Sequence, residues 1–271
     1  MVRKGAESIM AREQVSSILR AIRILECFTD SETEWTLKAL VERLDLPTTT
    51  VFRQVSTLTD QQYLIQDPIR KSYQVGPRLM MLASSILSQS DLRRLARPEL
   101  ERLSDIAQET INLSILLEHD IFYLDKVETH RSIVCNTRIG SLAPAYATSC
   151  GKVILANQGD EAIDRFCLWM RDRARSLTAR TITDPDRLRQ ELMEARARGY
   201  ATDNGEIEAG LICYGAPVYD MNRKVTAAVS VSGPEYRMQE ERDMMIQEVK
   251  RTAENISRLL GCLHAPVTGS R

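Results

Sequence analysis

The residues best placed to do chemistry begin with Ser149-Cys150-Gly151-Lys152, which run directly into the apolar stretch Val153-Ile154-Leu155. A helix starting here leaves backbone N–H groups unpaired at its N-terminus, where they and the helix dipole favour an incoming anion. The run is not a nucleotide-phosphate loop. Tyr146 stands five residues before Gly151 where a glycine is required, and Val153 follows the lysine where Ser or Thr is required. ATP is therefore not implied. Further on, Leu211 and Cys213 share one face of a strand by the period of two, and Ser230 and Ser232 share another. Hydroxyls and a thiol pointing into a cavity orient a hydroxy or keto group without catalysing a reaction. Asp203, ahead of the Glu206–Gly210 turn, is placed to accept a hydrogen bond from a ligand hydroxyl. The chemistry these residues suit is a pocket for a small carboxylate.

A second group lies near the N-terminus. The stretch from Thr48 to Gln62 reads as a helix with Val51, Val55 and Leu58 facing inward. At 100° per residue, Thr49, Arg53, Ser56 and Thr57 project the other way, with Thr48 and Thr50 beside them and no acid before Asp60. A solvated face usually mixes acids and bases. A face that approaches phosphates and base edges excludes acids and uses short hydroxyls and arginine.

The elements that must position this face precede and follow it. Val15 to Phe28 reads as a first helix, with Ile18, Ile22 and Leu25 at helical spacing. Thr36 is a plausible N-cap for a second helix carrying Leu37, Leu40, Val41 and Leu44. Asp45-Leu46-Pro47 is a tight turn, and Pro47 suits the first turn of the third helix. Two short helices, a tight turn and such a third helix make a helix-turn-helix. Tyr63-Leu64-Ile65 and Ser72-Tyr73-Gln74-Val75 then form a hairpin wing, whose cations Arg70 and Lys71 suit the sugar-phosphate backbone. Leu79, Leu82, Ala83 and Ile86 put an apolar stripe on a following helix. The predicted domains are a winged helix-turn-helix at 14–76, a linker helix at 77–90 and an effector-binding domain at 91–263.

Composition bounds the function less than the motifs do. The 271 residues are 43% hydrophobic and 27% charged, enough to bury real cores. Net charge is −1 overall, and residues 1–97 carry 14 Lys/Arg against 11 Asp/Glu, so DNA affinity must come from local placement of cations. No apolar run approaches the roughly 18 residues of a membrane span, and the N-terminus lacks a signal-peptide core, so a cytoplasmic location is expected. The six cysteines, Cys27, Cys135, Cys150, Cys167, Cys213 and Cys262, contain no C-x-x-C pair, which predicts reduced thiols. His119, His130 and His264 are dispersed, so neither a metal site nor a catalytic histidine is expected.

From Asp91 the pattern is mixed. Helical stretches are predicted near 92–108, 152–157, 161–171, 185–198 and 238–261. Strands are predicted near 111–117, 121–128, 132–137, 213–219 and 224–231. The breaks at 118–120 and 220–223 suit hairpins and antiparallel pairing, an α+β arrangement. Asp184-Pro185 is a clean helix start.

The run Leu37-x-x-Leu40-Val41 through Leu46-Pro47-Thr48-Thr49-Thr50-Val51-Phe52-Arg53 and Tyr63-Leu64 to Tyr73-x-Val75-Gly76-Pro77-Arg78-Leu79 resembles the DNA-binding half of IclR-type transcriptional regulators. The likeness continues in order through Asp91-Leu92-Arg93-Arg94-Leu95-Ala96-Arg97-Pro98, Ala147-Thr148-Ser149-Cys150-Gly151-Lys152, Arg180-Thr181-Ile182-Thr183-Asp184 and Gly199-Tyr200-Ala201. Gly210-Leu211-Ile212-Cys213, Ala216-Pro217-Val218 and Val229-Ser230-Val231-Ser232-Gly233-Pro234 complete the series, which spans residues 14 to 262. The resemblance implies a linker helix, a GAF-like effector domain, and homodimers or homotetramers on palindromic operator DNA. It also implies that Ser149, Cys150, Asp203, Leu211, Cys213, Ser230 and Ser232 line a ligand pocket; the small-carboxylate reading of the residues makes an organic acid the expected effector, with no cofactor, and no specific effector is carried over from the family. Ile212 stands where arginine is common in the family, Tyr214-Gly215 replaces a small apolar pair, and Asn204-Gly205 replaces acidic residues. These departures are expected to reshape the pocket.

Two other readings are open. GAF-like domains include thiol-dependent enzymes, and Cys150 at a helix N-terminus would then have a lowered pKa. Alternatively, the N-terminal helices form a protein-interaction module. Neither alternative accounts for the acid-free helix face and the ordered series together.

Overall fold

The computed structural model describes residues 16–28, 32–82, 91–129, 131 and 137–262. The chain divides into two units between residues 89 and 90. In the first, α1 (Ser16–Glu26), α2 (Leu37–Leu44) and α3 (Thr48–Asp60) surround a core in which Ile24, Leu40, Val51, Val55 and Leu64 are fully buried. Thr36 caps α2, its hydroxyl accepting from the Ala39 N–H at 3.2 Å. Asp45 ends the helix with φ of 52°, in the left-handed region. Pro47 then precedes α3 as its N-cap residue, one position earlier than the first turn expected of it. Strands β1 (Trp35–Thr36), β2 (Leu64–Gln66) and β3 (Ser72–Val75) form an antiparallel sheet in the order β1-β3-β2. Residues 77–82 are helical, and the rest of the predicted linker helix, with Ala83 and Ile86, lies outside the described residues.

The three apolar positions that mark α1 by their spacing do not share one environment. Ile18 and Ile22 are 58% and 45% exposed, and Ile24 faces the core together with Cys27 and Phe28 just beyond the helix. The helix carries two apolar stripes. Of the spaced set, Ile18 and Ile22 lie on the side this unit leaves uncovered, and Leu25 packs partly against the core.

In the second unit a six-stranded antiparallel sheet runs in the order β6-β5-β4-β9-β8-β7. Its strands are β4 (Thr110–Leu117), β5 (Asp120–Val127), β6 (Leu142–Pro144), β7 (Ala201–Asn204), β8 (Leu211–Tyr219) and β9 (Val225–Pro234). One face packs α4 (Asp91–Ala107) and α9 (Arg242–Leu259) over Ile111, Leu113, Ala216, Val229 and Val231. The other face carries α5 (Ser149–Ala156), with α6 (Asp160–Met170) and α7 (Pro185–Arg198) outside it. Asp184 caps α7 as predicted, accepting from the Arg187 N–H at 2.8 Å, and Gly199 closes it with φ of 75°. The hairpins at 118–119 and 220–224 join β4 to β5 and β8 to β9.

Strands β1, β6 and β7 were not foreseen, and the helix predicted at 238–261 is two: α8 (Glu235–Glu240) and then α9. Most of the strand expected at 132–137 lies outside the described residues, as do His130 and His264. Among the described residues no two cysteines form a disulfide. Among the described residues no helix is long and apolar enough to cross a membrane.

Helix α5 begins at Ser149, three residues earlier than predicted, and is buried along its whole length. Gly151 is what allows this. A Cβ there would fall on the backbone of Ala145, far inside contact distance of its carbonyl oxygen. Gly151→Ala is therefore expected to destabilise the second unit by about 1–3 kcal/mol, the usual cost of overpacking a core. Denaturant unfolding measures this, and a wild-type midpoint in the variant would show that α5 and the Ala145 turn separate freely.

Candidate functional site

Helix α3 presents the predicted outer face. Thr48, Thr49, Arg53 and Thr57 are exposed, and Thr50 and Ser56 are half-buried. The Thr57 hydroxyl donates to the Arg53 carbonyl at 2.8 Å, so it meets a partner chiefly as an acceptor. Arg53 has no partner for its guanidinium among the described residues. The wing tip is built by Asp67, whose carboxylate accepts from the N–H groups of Ile69 and Arg70 at 2.7 and 2.9 Å. Those two bonds, Arg70's first, hold its pKa below the ordinary value.

The two wing cations differ. Arg70 pairs with Glu34 at 3.3 Å, whereas Lys71 is exposed with φ of 54° and makes no ion pair within 4 Å among the described residues. Two apolar residues went unnoticed in the sequence. Phe52 is 53% exposed beside Arg53, and Ile69 is 89% exposed at the wing tip. Phe52 was legible in principle, since the Val51/Val55/Leu58 stripe leaves it outside.

In the second unit all seven residues expected at the pocket meet in one enclosed chamber between α5 and the sheet. Strand register explains the convergence. Cys213 on β8 stands opposite Asp203 on β7 and Ser232 on β9, and Ser230 stands opposite Gly215 and Asn112. The Cys213 and Ser230/Ser232 positions thus share one face of the sheet, not two. Gly215 lets α5 come down onto this face, because a Cβ there would stand 2.9 Å from the Ser149 carbonyl carbon.

Asn112 and Thr137 also line the chamber and were not anticipated. The Asn112 amide donates to Ser232 Oγ at 3.4 Å and accepts from Thr137 Oγ1 at 2.9 Å. The cavity is about 40 Å³, room for roughly two or three waters.

The helix start at the chamber wall is only partly free. Thr148 Oγ1 accepts from the Gly151 N–H at 3.0 Å, which leaves the amides of Ser149 and Cys150 without partners among the described residues. Burial pushes the Cys150 thiol up to about 11, outweighing the neighbouring Ser230 and Ser114 hydroxyls. The lowering expected from its position at a helix N-terminus is overturned, because the thiol is buried and desolvation penalises the thiolate. The thiol is protonated at neutral pH.

Lys152 does not reach the chamber. Its ammonium lies 2.5 Å from Glu206 Oε1, both side chains being almost wholly buried at 1% and 4% exposure. Glu206 in turn donates its N–H to Asp203 Oδ1 at 2.6 Å. Burial raises the Asp203 pKa to about 7, against the lowering effects of the Glu206 N–H and the Lys152 charge. The chamber therefore faces a carboxyl that is substantially neutral near pH 7.

Residues of alternate parity on β8 go elsewhere. Ile212 and Tyr214 line an open cleft of about 580 Å³ beside β7, as does Asn204. Of the departures expected to reshape the pocket, only Gly215 bears on the chamber wall. His119 stacks on Trp169 with ring centroids 4.0 Å apart, a structural role. Among the described residues no group of His, Cys, Asp or Glu converges as a metal site.

A winged helix-turn-helix with an acid-free outer helix face, carried with an α+β domain that holds a small chamber, defines a DNA-binding regulator with an effector domain. Residues 17–68 match the family described as "IclR helix-turn-helix domain", and residues 84–258 match "Bacterial transcriptional regulator IclR C-terminal". The regulator BhcR of Paracoccus denitrificans is 34% identical over 228 residues, covering 84% of this chain and 81% of that one. A transcriptional regulator of Rhodococcus sp. RHA1 superposes with a TM-score of 0.79 at 31% identity, over 93% of this chain and 100% of the other. An IclR homologue from Microbacterium hydrocarbonoxydans, solved in complex with 4-hydroxybenzoate, gives 0.79 at 26% identity over 90% and 98%. The chain belongs to the IclR family of bacterial transcriptional regulators.

The Asp203 environment has a measurable consequence. Its folded-state pKa, about 7, lies above the ordinary 3.8, so the folded protein retains a proton that the unfolded chain has released. Its contribution to stability is complete below about pH 4 and is lost as pH rises towards 7, on the order of 4 kcal/mol in all. Denaturant unfolding across this window should show wild type losing stability relative to Asp203→Asn. Parallel profiles would mean that the carboxyl is already ionised in the fold.

Proposed function

We propose that the protein binds palindromic operator DNA in the cytoplasm as a homodimer or homotetramer, reading the major groove with α3, and that a small organic acid in the chamber controls this binding. The observation that carries the reading is the meeting of Ser149, Cys150, Asp203, Leu211, Cys213, Ser230 and Ser232 in one chamber at a helix N-terminus. Two free amides, hydroxyls and a carboxyl able to act as a donor suit a carboxylate bearing a hydroxyl or keto group. The Microbacterium relative's 4-hydroxybenzoate has that chemistry. At about 40 Å³ the chamber is too small for such a ring, so binding requires it to open. The loop from Gly205 to Gly210 suits that role, since both glycines have positive φ and Ile207 and Glu208 form part of the wall.

On the DNA side, Thr48, Thr49, Thr50, Arg53, Ser56 and Thr57 supply the α3 contacts, while Arg70 and Lys71 reach the backbone from the wing. The uncovered Ile18/Ile22 stripe, with Met80 and Met81 also exposed, favours a second copy as partner. The protonated Cys150 thiol lacks the nucleophile that a thiol-dependent enzyme needs, which favours sensing over turnover.

Arg53→Ala should weaken binding to the operator near the protein's own gene by roughly 5- to 150-fold, the effect of losing an arginine-to-guanine contact. A gel shift at fixed salt measures it, and equal binding by variant and wild type would remove α3 from the recognition role. Separately, a panel of small hydroxy and keto acids including 4-hydroxybenzoate should raise the melting temperature. Ser230→Ala and Ser232→Ala should reduce that rise. If every acid leaves the melting temperature unchanged, the chamber is not a carboxylate site.

A further inference from the structure

The cleft beside β7 lies outside the chamber and has a different chemistry. It is open to solvent, and its volume of about 580 Å³ falls within the range of small-molecule sites. Four guanidinium groups line it, from Arg180, Arg187, Arg198 and Arg242, against two carboxylates, Glu191 and Glu206. The Glu206 charge is matched from behind by buried Lys152.

Two of the arginines are engaged. Arg180 pairs with Glu235 at 2.9 Å, and Arg198 pairs with Glu191 at 2.5 Å. The other two are not. Among the described residues Arg187 has no side-chain partner, and the Arg242 guanidinium meets only the phenol oxygens of Tyr200, at 3.5 Å, and Tyr214. Cations gathered in a concavity repel one another, so the arrangement favours an anion between them. The planar guanidinium fork matches carboxylate and phosphate oxygens in particular.

A third requirement comes from Glu206. Its Oε2 is buried and has no hydrogen-bond partner among the described residues, although the residue borders the cleft. A buried acceptor without a donor is costly, and a ligand hydroxyl completes it. We infer that this cleft is a second small-molecule site, taking a compact hydroxylated dianion held by Arg187 and Arg242 and hydrogen-bonded to Glu206. The two acidic charges are either a pair of carboxylates or one phosphate monoester. The inference does not rest on the chamber's proposed role, since the two cavities share no lining residue.

The test uses the full-length protein and thermal unfolding at matched ionic strength, with malate and glycerol 3-phosphate as probes and succinate as the dicarboxylate without a hydroxyl. At least one hydroxylated probe should raise the melting temperature by several degrees, and succinate should do so less. Which of the two works assigns the charge to carboxylates or to phosphate. Arg187→Ala/Arg242→Ala should abolish the rise. Both arginines are exposed, so the variant is expected to fold, and its unliganded melting temperature checks this. Ser230→Ala/Ser232→Ala, which alters only the chamber, should keep the response. No rise with either probe, or the same rise in the double arginine variant, would overturn the site. An equal response to succinate would overturn the Glu206 contact.

Discussion

The second unit is organised around a buried lysine. Lys152 is on the innermost helix, and removing an ammonium group from water costs several kcal/mol unless a carboxylate meets it. Glu206 does so from a loop 54 residues away in sequence, and that loop can lie there only if β7 brings the chain back to α5. Once Glu206 is fixed, its N–H fixes Asp203, and the hydroxyls of Thr178 and Thr181 fix the loop carbonyls of Gly205 and Glu206 at 2.7 Å each. The chamber wall is thus the outcome of one charge-neutralising contact and the hydrogen bonds that follow from it. The same contact keeps the lysine out of the chamber, where it would otherwise have been the obvious anion ligand.

Much of this was legible in the sequence, unevenly and for definable reasons. The outer face of α3 followed from helical periodicity and the absence of acids, since both are local properties. The start of α7 at Asp184-Pro185 was legible for the same reason. Strands β6 and β7 have three and four residues, too few for a period of two to register, and β7 is edge-paired in a sheet whose order the sequence does not print. Helix α1 was legible as a helix, but its apolar positions divide between the core and the surface, and a helical wheel does not say which of them has a neighbour.

The chamber divides in the same way. Leu211, Cys213, Ser230 and Ser232 could be placed by strand parity, and the family resemblance joined them to Ser149, Cys150 and Asp203. Asn112 and Thr137 escaped because their places depend on the register of β4 against β9 and on a loop contact. Lys152 was read as part of a helix-start motif, and its burial was invisible without knowing where residue 206 falls. The Cys150 thiol shows the sharpest limit. Its position at a helix N-terminus was foreseen, but burial, which sequence does not show, decides its ionisation.

Strand β8 serves two rooms. Leu211 and Cys213 face the closed chamber, while Ile212 and Tyr214 face the open cleft, and a single residue step separates the two memberships. Mutation can therefore alter what one room accepts without disturbing the other, as long as Gly151 and Gly215 keep α5 seated on the sheet. Substitution at 211 or 213 changes the chamber lining and leaves the cleft lining intact, and substitution at 212 or 214 does the reverse. Parity along one strand separates the paths by which the two surfaces can evolve.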